Sequence, residues 1–226
     1  MSTNKVSAGG ILQDALGVLR EHELTYLKAG APWMSLALAA LIGAEYALDQ
    51  GPLGLMALGV TLCAFGMLMM SAMPWIIAGT SAAEVEGKPR SIRGARASIK
   101  VALQVGTLNL LCWFMGGLPA LAVHAYVGAA APAAGLGAGD ALGARRAARR
   151  AQRGHFTSVF GALVAAHALF AVFGISVLVV LIPGLDAGLP EWTFTVCMAA
   201  LYLMYSVVMA SMQHGILRAL ERARTA

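Results

Sequence analysis

The sequence predicts an all-α fold, a polytopic membrane helical bundle with six transmembrane helices arranged as three hairpins and with cytoplasmic amphipathic helices. The first observation is composition: 59% of the 226 residues are hydrophobic and only 12% are charged, whereas soluble domains carry about 25% charged residues. The second is a series of long apolar runs, and the third is the position of every basic residue. So little polar material cannot cover so much apolar surface in water, so lipid is the natural solvent. Residues 1–226 are therefore predicted to form a single integral membrane domain.

Six apolar runs have the length that a membrane-spanning helix needs, which is about 20 residues for a hydrocarbon core about 30 Å thick. Residues 1–28 form a predicted cytoplasmic amphipathic leader, without a cleavable signal-peptide pattern, so the first run is expected to be a retained anchor. Glycine and proline mark the turns between runs, as at Gly51-Pro52. The fourth run ends in a glycine- and alanine-rich stretch and is expected to be short, tilted or partly re-entrant. The predicted spans are 29–48, 53–79, 101–117, 119–139, 156–182 and 192–212.

Charge distribution predicts the orientation. All 16 lysine and arginine residues lie in the N-terminal segment, the 80–100 loop, the 140–155 loop or the C-terminal segment. The positive-inside rule places these segments in the cytoplasm, so both termini are expected on the cytoplasmic side of a bacterial inner membrane, with the chain multi-pass. The other side carries Asp49, Asp186 and Glu191. The basic pI thus indicates topology and attraction to anionic lipid, and nucleic acid is not an expected partner.

An amphipathic segment precedes each predicted hairpin, at 11–27, 91–100 and 140–153. Two interpretations stay open: the segments lie in the membrane interface with the apolar face in lipid, or they are cytoplasmic extensions of the third and fifth spans plus a leader. Ser91 and Asp140 are predicted helix N-caps. In the interfacial interpretation, the side chains expected to contact lipid phosphates or a partner are Arg93, Arg96, Lys100, Arg145, Arg146, Arg149, Arg150 and Arg153.

Few polar side chains fall within the predicted spans. Ionisable groups inside a membrane are candidates for function, but a neutral histidine is satisfied by one hydrogen bond, so structural roles are favoured over transport or metal binding. The three cysteines have neither disulfide nor zinc spacing, and nucleophile-elbow and phosphate-loop motifs are not found. No catalytic residue, cofactor or metal site is predicted, and the chain is not expected to be an enzyme. The intramembrane polar candidates are Gln104, Asn109, His124 and His167.

Several short phrases carry a family resemblance: Ile11–Ala15, Glu86–Pro89 followed by Ser91–Ala97, Leu118-Pro119, Pro132, Ala141–Arg150 and Arg153–Phe156. With these phrases the chain resembles the YciC-like family of bacterial integral membrane proteins, which is related to the membrane domain attached to some glycerophosphodiester phosphodiesterases. The resemblance implies a membrane module without catalysis. The chain departs from the pattern late in span four, where Gly135–Gly139 replace an expected acidic residue and Asp140 comes only at the end.

These observations favour a non-catalytic inner-membrane protein that organises the membrane or serves as an integral subunit of a larger complex. The alternative is a six-span permease subunit of an ATP-driven or other transporter, in which residues 84–100 would contact the ATPase. The expected partners are anionic membrane lipids, and membrane proteins or a second copy of the chain are further candidates.

Overall fold

A computed structural model describes residues 6–115, 118–137 and 140–225. The helices of these segments, in chain order, are α1 (Ala8–Asp49), α2 (Leu53–Val85), α3 (Ile92–Phe114), α4 (Leu118–Val127), α5 (Ala130–Gly135), α6 (Ala141–Gln152), α7 (Phe156–Asp186) and α8 (Glu191–Thr225). No strand occurs in the described segments, so the predicted all-α class is confirmed. Helices α1, α2, α7 and α8 are long and apolar enough to cross a membrane.

The leader and the first predicted span form one helix, α1. Ser7 caps its start, because the backbone amide of Gly10 donates a hydrogen bond of 3.0 Å to the Ser7 hydroxyl. His22 has non-helical backbone angles (φ −129°, ψ 20°), which mark a kink inside the predicted leader, so the leader and the first predicted span do not form one straight helix. At 1.5 Å per residue, 42 residues span about 63 Å, roughly twice a hydrocarbon core, so α1 extends well beyond one face of a bilayer.

The second half of α2 is the centre of the bundle. Every residue from Ser71 to Gly79 is buried, and this helix contacts α1, α3, α5 and α8. Small residues allow the close approach: a Cβ atom on Gly106 would lie 2.5 Å from the Cβ of Ala72, and a Cβ on Gly79 would lie 2.5 Å from that of Ser98. The backbones of α2 and α3 therefore pack at glycine contacts, as small residues permit at helix interfaces in membranes.

The fourth predicted span is two short helices rather than one, separated at Gly128–Ala129. Ten residues make α4 about 15 Å long, half of a hydrocarbon core. The short α5 then packs across α2 and α3, where a Cβ on Gly135 would overlap the carbonyl oxygen of Gly79. The glycine- and alanine-rich stretch thus serves tight packing inside the bundle, and the two short helices agree with the expectation that this element is short, tilted or partly re-entrant.

Both ends of the described chain meet at one end of the bundle, here called the basic end. Arg222 of α8 pairs with Asp14 of α1, and Arg218 pairs with Glu86 after α2 at 2.9 Å. Asp140, before α6, lines a groove with the first turns of α3. The leader, the α2–α3 loop, the start of α6 and the C-terminal turns therefore lie together, which brings the four basic segments to the same end.

The three amphipathic segments differ in structure. The leader belongs to α1, and residues 92–100 are the first turns of α3, capped by Ser91, whose hydroxyl accepts a 3.4 Å hydrogen bond from the amide of Gly94. Only α6 is a separate helix, capped by Asp140 through a 2.7 Å bond from the amide of Gly143, so both predicted caps are confirmed. Ala144 and Ala148 are buried, and α6 contacts α3, α4 and α5. These two alanines are thus covered by protein, whereas Ala147 and Ala151 are exposed, so α6 buries only part of its alanine surface in the bundle.

Candidate functional sites: a basic surface and an apolar cavity

The first turns of α3 present three basic side chains on one face. Arg93, Arg96 and Lys100 are exposed and follow the spacing of three and four residues that places side chains on the same side of a helix. They line a groove of about 450 Å³ together with Ile92, Ala97, Asp140 and Ala141. Three cations against one carboxylate leave the groove positive, and that carboxylate already accepts a capping hydrogen bond from the amide of Gly143.

The arginines of α6 continue this surface. Arg146, Arg149, Arg150 and Arg153 are exposed, and Arg145 is half-buried. Arg149 lies at a second groove of about 290 Å³, whose other walls come from α3 and α4: Leu108, Ala122, Val123, Tyr126 and Val127. A cation beside an apolar groove matches a lipid, with the phosphate on the guanidinium and an acyl chain in the groove.

The eight side chains predicted to contact lipid phosphates or a partner also share the lack of an ion pair in the described part of the chain. Within the described segments, none of the eight lies within 4.0 Å of an acidic side chain in an ion pair. Three other cations at the basic end are paired: Arg90 with Glu84, Arg218 with Glu86, and Arg222 with Asp14. Among the described residues, the charge of the α3 and α6 cations is thus not balanced by an ion pair, and the same holds for Arg20, Lys28, Lys88 and Arg224.

A cavity of about 550 Å³ lies between α2, α3, α4, α7 and α8. Three of the four predicted intramembrane polar residues, Asn109, His124 and His167, come together on its wall. Gln104 does not, because it is exposed on α3 and does not line the cavity. The other walls are apolar side chains of methionine, leucine, alanine, proline, phenylalanine and tryptophan, and the remaining polar lining residues are Ser71, Tyr202 and Tyr205.

Hydrogen bonds fix the tautomer of His167. Its Nδ1 lies 2.7 Å from the carbonyl oxygen of Leu163, one turn earlier in α7. Because a carbonyl oxygen only accepts, Nδ1 must carry the hydrogen, and in a neutral ring Nε2 is then an acceptor. The hydroxyl of Tyr205 in α8 lies 2.9 Å from Nε2, so the tyrosine donates. This bond joins α7 to α8 across the cavity.

The other hydroxyl groups of the cavity donate inward as well. Tyr202 donates to the carbonyl oxygen of Met70 across 2.7 Å, joining α8 to α2. Ser71 donates to the carbonyl oxygen of Gly106 across 2.8 Å and accepts from the amide of Asn109 at 3.3 Å, joining α2 to α3. All three hydroxyl hydrogens are therefore used within the protein, whereas hydroxyl oxygens keep lone pairs.

His124 packs between aromatic rings on the same wall. Its ring centroid lies 4.7 Å from that of Trp75 and 6.4 Å from that of His167. Within the described residues, Nε2 of His124 and Nε1 of Trp75 have no hydrogen-bond partner, and both atoms are buried. The structural role expected for His124 from the sequence stays a prediction, since the described residues supply no hydrogen bond to its Nε2.

Sequence reasoning missed the two tyrosines of the cavity. Tyr202 and Tyr205 lie near the middle of the sixth predicted span, whereas tyrosine usually prefers the membrane–water interfaces. That displaced position, three residues apart on one helix face, was the available signal. Ser71 and Trp75 carry no such signal, because single serine and tryptophan residues are ordinary in apolar helices.

A second missed cluster ties α8 to α2 at the basic end. His214 is buried and its Nε2 lies 3.0 Å from the carbonyl oxygen of Ala78, while its Nδ1 lies 3.8 Å from a carboxylate oxygen of Glu86. The nearby imidazole, followed by the guanidinium of Arg218, holds the pKa of Glu86 below its usual value against the opposing effect of burial. These contacts stabilise the fold, since they join elements far apart in the chain.

Comparison with protein-family models, with curated proteins and with solved structures finds no match. The YciC-like resemblance therefore stays a prediction from the sequence phrases.

Proposed function

We propose that this chain is a non-catalytic, six-span protein of the bacterial inner membrane that organises the membrane by holding anionic phospholipids at the cytoplasmic leaflet. It would act in this way either alone or as an integral subunit of a larger membrane complex. The observation that carries the proposal is the α3 and α6 basic surface, whose side chains lack described ion pairs and adjoin apolar grooves. The YciC-like relationship, a membrane module without catalysis, belongs to the same proposal.

The six-span arrangement adds an α3–α4 hairpin to the four long helices. From Val101 to Phe114, α3 rises about 21 Å, and α4 returns about 15 Å, so both helices reach deep into a core about 30 Å thick. Leu108, Leu111 and Phe114 are exposed on α3, which suits contact with lipid. Charge segregation supports the orientation, because the basic segments share one end of the bundle and the cytoplasmic side prefers lysine and arginine.

The chemistry favours anionic head groups. Arginine binds phosphate oxygens in a bidentate geometry, and each basic residue near an anionic leaflet contributes about 1 kcal/mol of attraction. A zwitterionic head group has no net charge to add to this attraction. The apolar groove beside Arg149 supplies the acyl-chain contact that distinguishes a lipid site from a simple charged surface.

The experiment is a mild-detergent pull-down of the tagged protein, with bound lipids and proteins identified by mass spectrometry. We expect retained anionic phospholipid that is lost when Arg146, Arg149 and Arg150 become glutamine. The matched control replaces Arg20, Lys88 and Arg224, which also lie at exposed positions near the basic end and change the net charge equally. Equal retention of anionic phospholipid by both triple variants would contradict the proposal.

A permease subunit is the second candidate. The cavity between α2, α3, α4, α7 and α8 favours it, because transporters bind their substrates near the bilayer midplane. In that case the exposed α2–α3 loop, including Lys88 and Arg90, would contact a nucleotide-binding subunit. An ATPase recovered in the same pull-down, and lost when these two residues become alanine, would favour the permease over the organiser.

A further inference from the structure

We propose that the cavity between α2, α3, α4, α7 and α8 binds a neutral lipid alcohol, an amphiphile with an uncharged hydroxyl head and an apolar tail. This ligand is distinct from the anionic phospholipid of the basic surface, and the two sites share none of their lining residues. The cavity has a volume of about 550 Å³, which falls within the range of about 300–1,000 Å³ that small-molecule sites occupy.

The lining selects an uncharged ligand. None of the described lining residues is a lysine, arginine, aspartate or glutamate. A charged head group would therefore enter a water-poor site without a counter-ion, which is costly in a low-dielectric environment. This cost excludes lipids with phosphate or ammonium head groups. An alcohol loses only its hydrogen bonds to water on entering, and the cavity can replace these bonds.

The hydrogen-bond inventory selects a donor. The hydroxyl hydrogens of Ser71, Tyr202 and Tyr205 are all committed to protein acceptors. Each tyrosine oxygen still has lone pairs that can accept, and the amide of Asn109 and the indole Nε1 of Trp75, which has no partner among the described residues, add donors, so a hydroxyl, which both donates and accepts, matches the wall. A ligand hydroxyl can donate to a tyrosine oxygen without displacing any bond of the network. A ligand with acceptors alone would find a poorer match.

The shape and walls of the cavity suit a tail. Phe170 and Met198 contribute to a mostly apolar lining, and methionine adapts to irregular apolar shapes. The cavity is partly open, and two of its lining residues, Met67 of α2 and Ala171 of α7, are exposed. With the chain in a bilayer, a tail passes between these helices into lipid while the hydroxyl stays at the tyrosines.

The test uses a hexadecanol that carries a diazirine in the middle of its chain, photolysed with the purified full-length protein in lipid nanodiscs. Labelled peptides are mapped by mass spectrometry. We expect labels on the α2, α7 or α8 residues that line the cavity. Competition by unlabelled hexadecanol is compared with methyl hexadecyl ether, which keeps the oxygen and the chain but lacks the donor hydrogen, and with hexadecyl phosphate.

We expect the alcohol to compete about tenfold better than the ether, the effect of one hydrogen bond, and the phosphate not to compete. Ether and alcohol competing equally, or phosphate competing best, would overturn the proposal. This comparison uses the unaltered protein, so it does not depend on whether a variant folds. It is also separate from the basic-surface proposal, because loss of anionic phospholipid leaves this labelling unchanged.

Matched variants locate the head group. Tyr205→Phe removes one acceptor and is expected to weaken labelling, whereas Tyr46→Phe, at an exposed position on α1 outside the cavity and both grooves, leaves it unchanged. Asn109→Leu is paired in the same way with Gln104→Leu on the same helix. Equal labelling of all four variants would contradict the assignment of the head group to the tyrosine network.

Discussion

Arg218 of α8 donates a hydrogen bond of 2.9 Å to the carboxylate of Glu86, which follows α2. This bond joins α8 to the end of α2. The same guanidinium lies 3.3 Å from the carbonyl oxygen of Val85. Both side chains are less than one third exposed. This pair holds the C-terminal turns of α8 at the basic end.

Arg218→Met should lower the free energy of unfolding by about 1–2 kcal/mol, because hydrogen bonds to charged groups are lost while the apolar stem is kept. The measurement is the thermal unfolding midpoint of the purified protein in a mild detergent. Arg224→Met is the control, since Arg224 is exposed near the end of the same helix. Identical midpoints for the two variants would show that the pair is not structural.

Glu86 should make stability depend on pH. Because its pKa is lowered in the folded protein, first by His214 and then by Arg218, its contribution is fully present above the unfolded value of about 4.3. It is lost as pH falls through the lower folded pKa. We expect Glu86→Gln to flatten the fall in unfolding midpoint below about pH 4.3, compared with Glu221→Gln at an exposed position. Parallel pH curves would contradict this assignment.

Gly215 permits the leader to pack on α8. A Cβ atom there would lie 2.8 Å from the backbone nitrogen of Ala15 and 2.9 Å from the carbonyl oxygen of Ile11. Gly215→Ala should push the leader away and increase hydrogen exchange in residues 8–21. Gly17→Ala is the control, because nothing lies within 4 Å of its Cβ position, and alanine there favours the helix by about 0.5–1 kcal/mol. Unchanged exchange in Gly215→Ala would refute leader docking on α8.

The six-span arrangement predicts a labelling pattern for single cysteines in a background without Cys63, Cys112 and Cys197. Cysteines replacing Gln50, Met115 and Ala187 should react with an impermeant maleimide from outside the inner membrane, and one replacing Lys88 only after permeabilisation. These positions are at exposed turns or helix ends. Failure of position 115 alone to react from outside would leave four crossings and a hairpin that does not cross.

Hydropathy predicted the all-α class, because helices that lie in lipid are made of apolar residues. The start of α2 at Leu53 was also predicted, because proline marks the turn before it. Hydropathy did not predict that α2 continues past Gly79 to Val85 and α8 past Met212 to Thr225, because amphipathic turns outside a bilayer are not strongly apolar. Hydropathy also did not locate the break at Gly128–Ala129, because it reports how apolar a segment is, whereas glycine weakens a helix through its backbone freedom.

The basic surface could be predicted from the sequence to a greater extent than the cavity. Basic residues were identified one by one, since charge alone indicates where they lie relative to a membrane. The convergence of Asn109, His124 and His167 on one cavity was not predicted. It depends on which helices become neighbours, and nothing in one segment specifies the segment that it packs against. The donor role of the Tyr205 hydroxyl required its contact with Nε2 of His167, which joins residues 38 positions apart.

The most direct test of the central claim is lipid binding by native mass spectrometry of the purified protein. Phosphatidylglycerol and phosphatidylcholine with the same acyl chains are titrated against the wild type, Arg149→Gln and a variant with Arg93, Arg96 and Lys100 changed to glutamine. The account predicts preferential binding of phosphatidylglycerol by the wild type, weakened in both variants and reduced by salt. Equal binding of the two lipids, unaffected by either variant, would contradict it.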